Sequence, residues 1–458
     1  MKAPATASSP RVENIYQLDG RVPIGKAIPL GLQHVLAMFV ANVTPIILIA
    51  GVALYNGEPM SGVDTARLIQ NCMIIAGIGT LIQLYPVWRI GSRLPVVMGI
   101  SFTFLAALSS LAQRDYGLVI GAVMVGGCIE GCLGLTIKYW RRFVSPIVSA
   151  CVVTTIGVSM LSTGVDSFAS SNAYEYGSWQ NLLVAAITLI TCILIQAFAK
   201  GFFKQIAILG GLVVGYIVSI FFGMVDFGSI ADTVNEMGFI SLPMLFHYAP
   251  KFEIGAIISV TLVFLVSAAE TIGDTTACCE GGLGRSITGE ELSGSISCDG
   301  FLSAISGGLF GCPPITSFSQ NVGLIAMTKV VNRFTIMFGA LIMILAGLFP
   351  AVGAVLSTLP SCVLGGCTVM MFGSIMVSGI GMFSNIEINQ RTTVIAATSF
   401  ALGIGVTQVS GFFDHMPALV GEIFSGNPVA GVFVISMILS LVLPKNMDIK
   451  RPGSDQTN

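Results

Sequence analysis

Fourteen apolar runs, several of them interrupted, follow one another along the chain with little more than short polar joints between them. They lie near residues 27 to 55, 66 to 86, 94 to 113, 117 to 138, 144 to 163, 181 to 199 and 204 to 224, then 254 to 278, 295 to 311, 313 to 329, 334 to 351, 358 to 382, 392 to 408 and 427 to 444. A bilayer core about 30 Å thick takes roughly 20 helical residues per crossing, so runs of this length and number predict an all-α integral membrane protein with fourteen transmembrane spans. Composition agrees: 54% of the 458 residues are hydrophobic and 10% are charged, against about 25% charged in soluble domains. The formal net charge of -2 includes no basic block of the kind that grips nucleic acid.

The basic residues set the orientation, because cytoplasmic loops near span ends are enriched in Lys and Arg. With both termini cytoplasmic, only Arg67, Arg114 and Lys251 fall outside. One span more or fewer would scramble that alternation. The start of the chain lacks the basic, apolar and small-residue pattern of a secretory signal. Residues 1–26 therefore read as a retained cytosolic tail, and 445–458 as a second one, in a protein of the inner or plasma membrane. Seven spans (27–224) precede a polar connection at 225–252 and seven follow (253–444). An odd number per half means that the second half enters the membrane upside down, the inverted-repeat plan of many secondary transporters.

Eleven cysteines are scattered along the apolar segments, where they read as small buried hydrophobes. Cys128 and Cys132 have no accompanying His, so no zinc pattern emerges and no metal site is expected.

In an inverted repeat the third and tenth spans are equivalent, and both contain proline where a helix should run. Aligning Pro95 of "RLPVVMGISFTF" with Pro314 of "CPPITSFSQNVG" sets Ser101 against Gln320, six residues after the proline in each. Proline resists a helix interior and pushes the residue before it into extended backbone. Residues 95 to 100 and 313 to 319 are therefore expected to form two short strands, which can pair with each other, since unpaired backbone at that depth must be buried in protein or line a cavity. Each strand would feed a half-helix starting near Ser101 or Gln320, with its positive end at the bilayer midplane. The competing reading is a Ser/Thr/Asn-lined helix interface.

The eighth span, "LVFLVSAAETIGDTTACC", carries Glu270 and Asp274 four residues apart on one helix face, without Lys or Arg in the same span. Ionised carboxylates at mid-membrane cost at least about 2.5 to 3.5 kcal/mol each, so these two are functional candidates; capping loose backbone from the broken spans is the alternative. Glu130, in "GGCIEGCLG", reads either as a proton-path group or as a carboxyl bonded across a Gly-rich helix face, the second being preferred. "GGLGR" at 281 to 285 lacks the Lys-Ser/Thr of a phosphate loop, which argues against an ATP-driven pump.

"QNVGLIAMTKV" matches in full the signature of the nucleobase–ascorbate transporter family, through Gln320, Asn321, Gly323, Thr328 and Lys329. "LQHVLAMF", "ETIGD" and "CDGFLSAISG" also resemble that family's purine-carrying bacterial members. The resemblance implies a fourteen-span fold of two inverted repeats, a core domain working by alternating access against a gate domain, a homodimer, and proton-coupled nucleobase uptake that uses the proton gradient and no cofactor. By motif position it makes Glu270 and Gln320 the groups that hold the purine, Phe102 the stacking aromatic, and the backbone at Ser101 and Ser319 the rest of the pocket. Asp274, Asn321, His34 and Asp299 match positions that support the site or the proton path. For His34 a bond to backbone across helices competes with that role, and for Asp299 a carboxylate at a helix start does.

In the family, Gln at the position of Gln320 goes with xanthine or uric acid, Glu with uracil and Pro with ascorbate. An oxidised purine is therefore the expected substrate. Several xanthine-selective relatives have Asn where this chain has Ser101, so a smaller side chain here leaves room for the extra oxygen of urate. Another nucleobase such as uracil is the alternative within the family. An anion exchanger on the same plan fares poorly, since the third, eighth and early tenth spans offer no Lys or Arg. A membrane enzyme would have no need of two matched breaks, so the chain does not read as an enzyme.

Overall fold

The computed structural model describes residues 14–140, 145–384 and 386–444. The tail segments 1–13 and 445–458 lie outside the described residues. Helices α1 (Ile24–Ala50), α2 (Gly62–Leu84), α4 (Tyr116–Leu135), α5 (Pro146–Ala169), α6 (Trp179–Phe198), α8 (Ile254–Ala277) and α13 (Ser361–Phe383) are long and apolar enough to cross a membrane. Shorter helices fill the intervals: α3 (Leu105–Ala112), α7 (Ala207–Phe221), α9 (Gly289–Phe310), α10 (Ser319–Thr328), α11 (Arg333–Gly347), α12 (Pro350–Ser357), α14 (Gln390–Gln408), α15 (Ala418–Phe424) and α16 (Pro428–Val442). Phe198, Phe221 and Val442 are among many large apolar side chains left exposed on the outer helices, as lipid contact requires. The molecule is a multi-pass membrane protein.

Local chemistry moves several boundaries away from those that hydropathy suggests. The first helix stops at Ala50, not near 55, because Asn56 and Gly57 both take positive φ and turn a small hairpin between Leu54–Tyr55 and Glu58–Pro59. The eleventh run breaks at Leu348 and Phe349, where Pro350 starts α12 at an angle of 76° to α11. The connection at 225–252 includes a surface helix, Phe227–Met237, capped by Asp226. Helix α9 begins at Gly289, six residues before the apolar run, because Thr288 and Glu291 form a capping box.

The helix pairings repeat under a simple exchange. Helix α2 packs on α11 as α9 packs on α4; α1 meets α11 as α8 meets α4; and α6 lies on α7 as α14 lies on α16. The α5–α13 pair is its own counterpart, and it is one of the most extensive contacts in the molecule.

Two three-residue strands run antiparallel inside the bundle, β1 (Met98–Ile100) and β2 (Ile315–Ser317), with Gly99 opposite Thr316. The expectation of paired strands in the broken spans is met. Their remaining backbone groups are satisfied by side chains of the surrounding helices, as buried polar groups must be. The Met98 amide donates to Thr80 Oγ1 of α2 (3.0 Å) and the Ile315 amide to Ser303 Oγ of α9 (3.1 Å), the same exchange of helices again. The Ile100 amide donates to Asn42 Oδ1 of α1 at 2.8 Å, and Ser306 donates to the Pro313 carbonyl at 2.7 Å. Gly99 has no alternative as a residue: a Cβ there would come within 2.5 Å of the Phe318 ring and 2.7 Å of Asn42 Oδ1.

The three basic residues assigned outside lie in ion pairs that join neighbouring loops: Arg114 with Glu253 (2.8 Å), Lys251 with Asp115 (2.5 Å) and Arg67 with Glu236 (2.7 Å).

Candidate functional site

The strand pair is extended at both ends by one more hydrogen bond, from the Ser101 amide to the Pro314 carbonyl (3.1 Å) and from the Phe318 amide to the Val97 carbonyl (3.0 Å). Because the strands are antiparallel, the two half-helices start at opposite ends of this short ladder. At one end Ser101 Oγ accepts from the Thr103 amide at 3.3 Å and caps a single tight turn, Phe102–Phe104, that leads into α3. At the other, α10 starts at Ser319 with no side-chain cap. Its first amides have no carbonyl of their own helix to bond.

Both starts line one cavity of about 500 Å³. Ser101, Phe102, Glu270, Ser319 and Gln320, which come from three separate stretches of sequence, all contribute to its wall. The opposite wall belongs to α5 and α13, through Val153, Ile156, Met370, Met371 and Ser374. Glu270 of α8 is half-buried, and the Thr103 hydroxyl donates to its Oε2 at 2.7 Å. Ser319 and Gln320 are exposed to the cavity, whereas Phe102 is buried, its ring nearly perpendicular to that of Phe372 of α13 with centroids 5.6 Å apart.

The four expected supporting residues stand behind this wall. Asp274 is nearly buried and uses both oxygens, accepting from Ser317 (2.9 Å) and Ser319 (2.7 Å). It thereby fixes the end of β2 and the first residue of α10. Asn321 is buried and donates to the His34 ring nitrogen Nδ1 and to the His34 carbonyl, both at 3.1 Å. This bond ties α10 to α1. Asp299 accepts from the Thr271 hydroxyl of α8. It lies ten residues into α9, whose first-turn acids are Glu290 and Glu291, so the reading of Asp299 as a helix-start carboxylate is set aside. Glu130 is buried beside the Ser267 hydroxyl of α8, with no bond at ordinary hydrogen-bond distance to either of its oxygens.

Lys204 also lines the cavity; sequence reasoning gives it no part, because it is the first residue of the seventh run and outside every broken or acidic span. It is exposed, in a short helix Phe202–Gln205. Beside it, Gln205 Nε2 donates to Met327 Sδ of α10 at 3.6 Å, a contact from one wall of the cavity to the other.

Residues 25–412 match the sequence pattern of the Permease family. A putative purine permease of Clostridium perfringens is 33% identical over 442 residues, covering 95% of this chain and 94% of the relative. The chain is a member of the nucleobase–ascorbate transporter family. Among other members of that family, xanthine permease XanQ of Escherichia coli is 33% identical over 448 residues, with 94% of each chain covered, and a xanthine permease of Bacillus subtilis is 32% identical over 429 residues, with 91% of this chain and 94% of the relative covered. Among solved structures, the murine Slc26a9 anion transporter in its inward-facing state is similar with a TM-score of 0.62 at 11% identity, covering 96% of this chain and 73% of that one. The transmembrane domain of the cyanobacterial bicarbonate transporter BicA follows at 0.51 and 13% identity, covering 93% and 100%. These last two likenesses are of fold alone. A member of this family is a permease.

The nucleobase–ascorbate signature acquires a physical meaning in this fold. Gln320 begins α10 at the cavity, Asn321 anchors it to α1, and Lys329 ends it in the left-handed conformation at φ 58°. Glycine meets no steric cost in that conformation, whereas here a lysine adopts it. Here the lysine uses its ammonium as well, donating to the Gly281 carbonyl at 2.5 Å.

Proposed function

We propose that the chain takes up an oxidised purine, xanthine or uric acid, by proton symport. The observation that carries the reading is the convergence of Glu270, Gln320 and Phe102 on one cavity between the two broken spans. A carboxyl and a carboxamide offer the complementary donors and acceptors that an imide-like ring edge requires, and the aromatic offers a wall for the ring face. Purine and xanthine permeases among the close relatives point to the same substrate class. Ser101, smaller than Asn, leaves room on its side of the cavity for the additional oxygen of urate.

In this reading the strands, α1 to α4 and α8 to α12 form a core that carries the substrate, and α5 to α7 with α13 to α16 form the gate. Fourteen spans in two inverted repeats are supported by the exchange pattern of helix pairings. The cavity lies along the boundary of the two groups, as alternating access requires. Its lining reaches the exposed residues Lys204 and Met327, on the side where the basic residues put the cytoplasm. Opening and closing that end would break and remake the Gln205–Met327 contact. Lys204 and Glu270 are the two charged residues of the lining, and the lysine favours a substrate that carries negative charge. That adds to the case for urate.

The test is uptake of labelled xanthine by cells without purine carriers of their own, with unlabelled urate, guanine, hypoxanthine and uracil as competitors and a protonophore in parallel. Saturable uptake, abolished by the protonophore and inhibited by urate, is expected. Uptake of uracil with no response to xanthine would retire Gln320 as the residue that reads the substrate.

A further inference from the structure

Helix α4 buries a carboxyl that the transport site does not use. Glu130 is fully buried, with no bond at ordinary hydrogen-bond distance to either of its oxygens. The ionisable groups that act on it are Asp299 of α9 and Glu270 of α8, and the Ser267 hydroxyl of α8 lies beside it. Asp274, one turn beyond Glu270, is occupied by its two serines. Helix α3 brings no ionisable side chain, Tyr55 of the small hairpin packs on Tyr248 with ring centroids 5.1 Å apart, and Lys138, two turns further along, is exposed. No cation among the described residues therefore balances Glu130.

The contact between α4 and α9 explains how the two carboxyls come together. Their backbones meet at glycines: a Cβ on Gly300 would lie 2.1 Å from the Gly131 amide nitrogen, and one on Gly127 would lie 2.7 Å from the Gly300 carbonyl. Glu130 and Asp299 directly precede Gly131 and Gly300. Asp299 Oδ1 and Ser267 Oγ are also buried without partners. Each carboxyl thus keeps a free acceptor in this interior, and the Ser267 hydroxyl beside Glu130 brings one proton to it. An ionised carboxylate without donors is not stable in a dry interior, and two neighbouring carboxyls cannot both ionise.

From this pair a chain of oxygens leads to the cavity. Asp299 accepts from the Thr271 hydroxyl, Thr271 Oγ1 is 3.4 Å from Ser317 Oγ, Ser317 donates to Asp274 at 2.9 Å, and Ser319, which also donates to Asp274 at 2.7 Å, lines the cavity wall. We propose that Glu130 and Asp299 form a shared proton store, which exchanges one proton with the cavity through Thr271, Ser317, Asp274 and Ser319. At each hydroxyl the oxygen accepts a proton from one neighbour and releases its own to the next, so only O–H bonds are made and broken. One positive charge moves from cavity to store, and it returns when the store empties. The inference rests on the carrier reading for what the proton drives.

The first test is infrared difference spectroscopy of the purified protein in lipid, titrated with and without xanthine. The wild type is expected to show a carboxylic C=O band that shifts in D2O and is lost in Glu130→Gln. An identical band in the variant overturns the store. The second arm compares xanthine counterflow with gradient-driven accumulation in proteoliposomes. Glu130→Gln is expected to keep counterflow within about threefold while losing accumulation by about tenfold or more, with a flattened pH profile. Equal effects on both processes, including none on either, overturn the proposal. If Glu130→Gln does not fold, Glu130→Asp keeps a carboxyl one methylene shorter. Its pH profile must then move, and an unmoved profile counts against the store. A wild type without xanthine counterflow sinks the purine reading alone, since the infrared arm needs no substrate.

Discussion

At the break in the third span, Ser101 spends its hydroxyl on its own turn and the next side chain, Phe102, is buried in a T-shaped contact with Phe372. At the break in the tenth span, α10 begins without a side-chain cap, Asp274 holds Ser319 from below, and Gln320 is left open to the cavity. The two strands are equivalent in rank and are held by equivalent helices, yet one helix start offers a ring face and the other offers hydrogen bonds. A flat heteroaromatic substrate needs both. On the proposed reading, an inverted repeat supplies the scaffold twice, while the side chains after each proline divide the work of recognition.

Four substitutions sharpen or break that division. Gln320→Ala removes hydrogen bonds that nothing else replaces; at about 1.5 to 3 kcal/mol for bonds to charged or buried groups, xanthine transport efficiency should fall by about a hundredfold. Uptake kinetics measure it, and a loss below threefold would mean that the tenth-span break does not carry the polar recognition. Gly99→Ala forces apart the strand that both breaks share, because the Phe318 ring and Asn42 leave no space. Overpacking of this kind costs about 1 to 3 kcal/mol, so a lower unfolding temperature and weaker uptake are expected together.

Phe102→Ala should cost about tenfold or less in transport of any flat base, from an aromatic contribution of about 0.5 to 1.5 kcal/mol beyond area. A loss as large as that of Gln320→Ala, measured in the same assay, would erase the contrast between the two breaks. Lys204→Gln is the smallest effect: competition by urate should weaken about threefold relative to neutral bases at low ionic strength and converge at high salt. An effect equal for all bases, or unmoved by salt, removes the charge argument.

Much of this architecture is legible in the sequence because prolines in the middle of apolar runs have few explanations. Pro95 and Pro314 announce the strands, and the uncompensated carboxylates of the eighth span announce the cavity, which Glu270 lines and Asp274 stands behind. What pairs with the strands is not legible. Asn42, Thr80 and Ser303 look like ordinary polar residues of apolar helices, and their partners stand 12 to 58 residues away. The placement of Asp299 could have been found, since "TGEE" at 288 to 291 is a capping box that starts the helix before the apolar run. Lys204 gives no such signal, because only the fold brings the start of the seventh run to the cavity. Nor does Phe372, one of several aromatics in apolar helices.

The most direct test of the central claim is the structure of the protein with xanthine bound. The base is expected in the cavity between the strands and α13, with its ring on Phe102 and its polar edge within hydrogen-bond distance of Glu270 and Gln320. A base seated at the Lys204 end of the cavity, touching neither of those two side chains, would contradict the claim that the paired breaks form the recognition site.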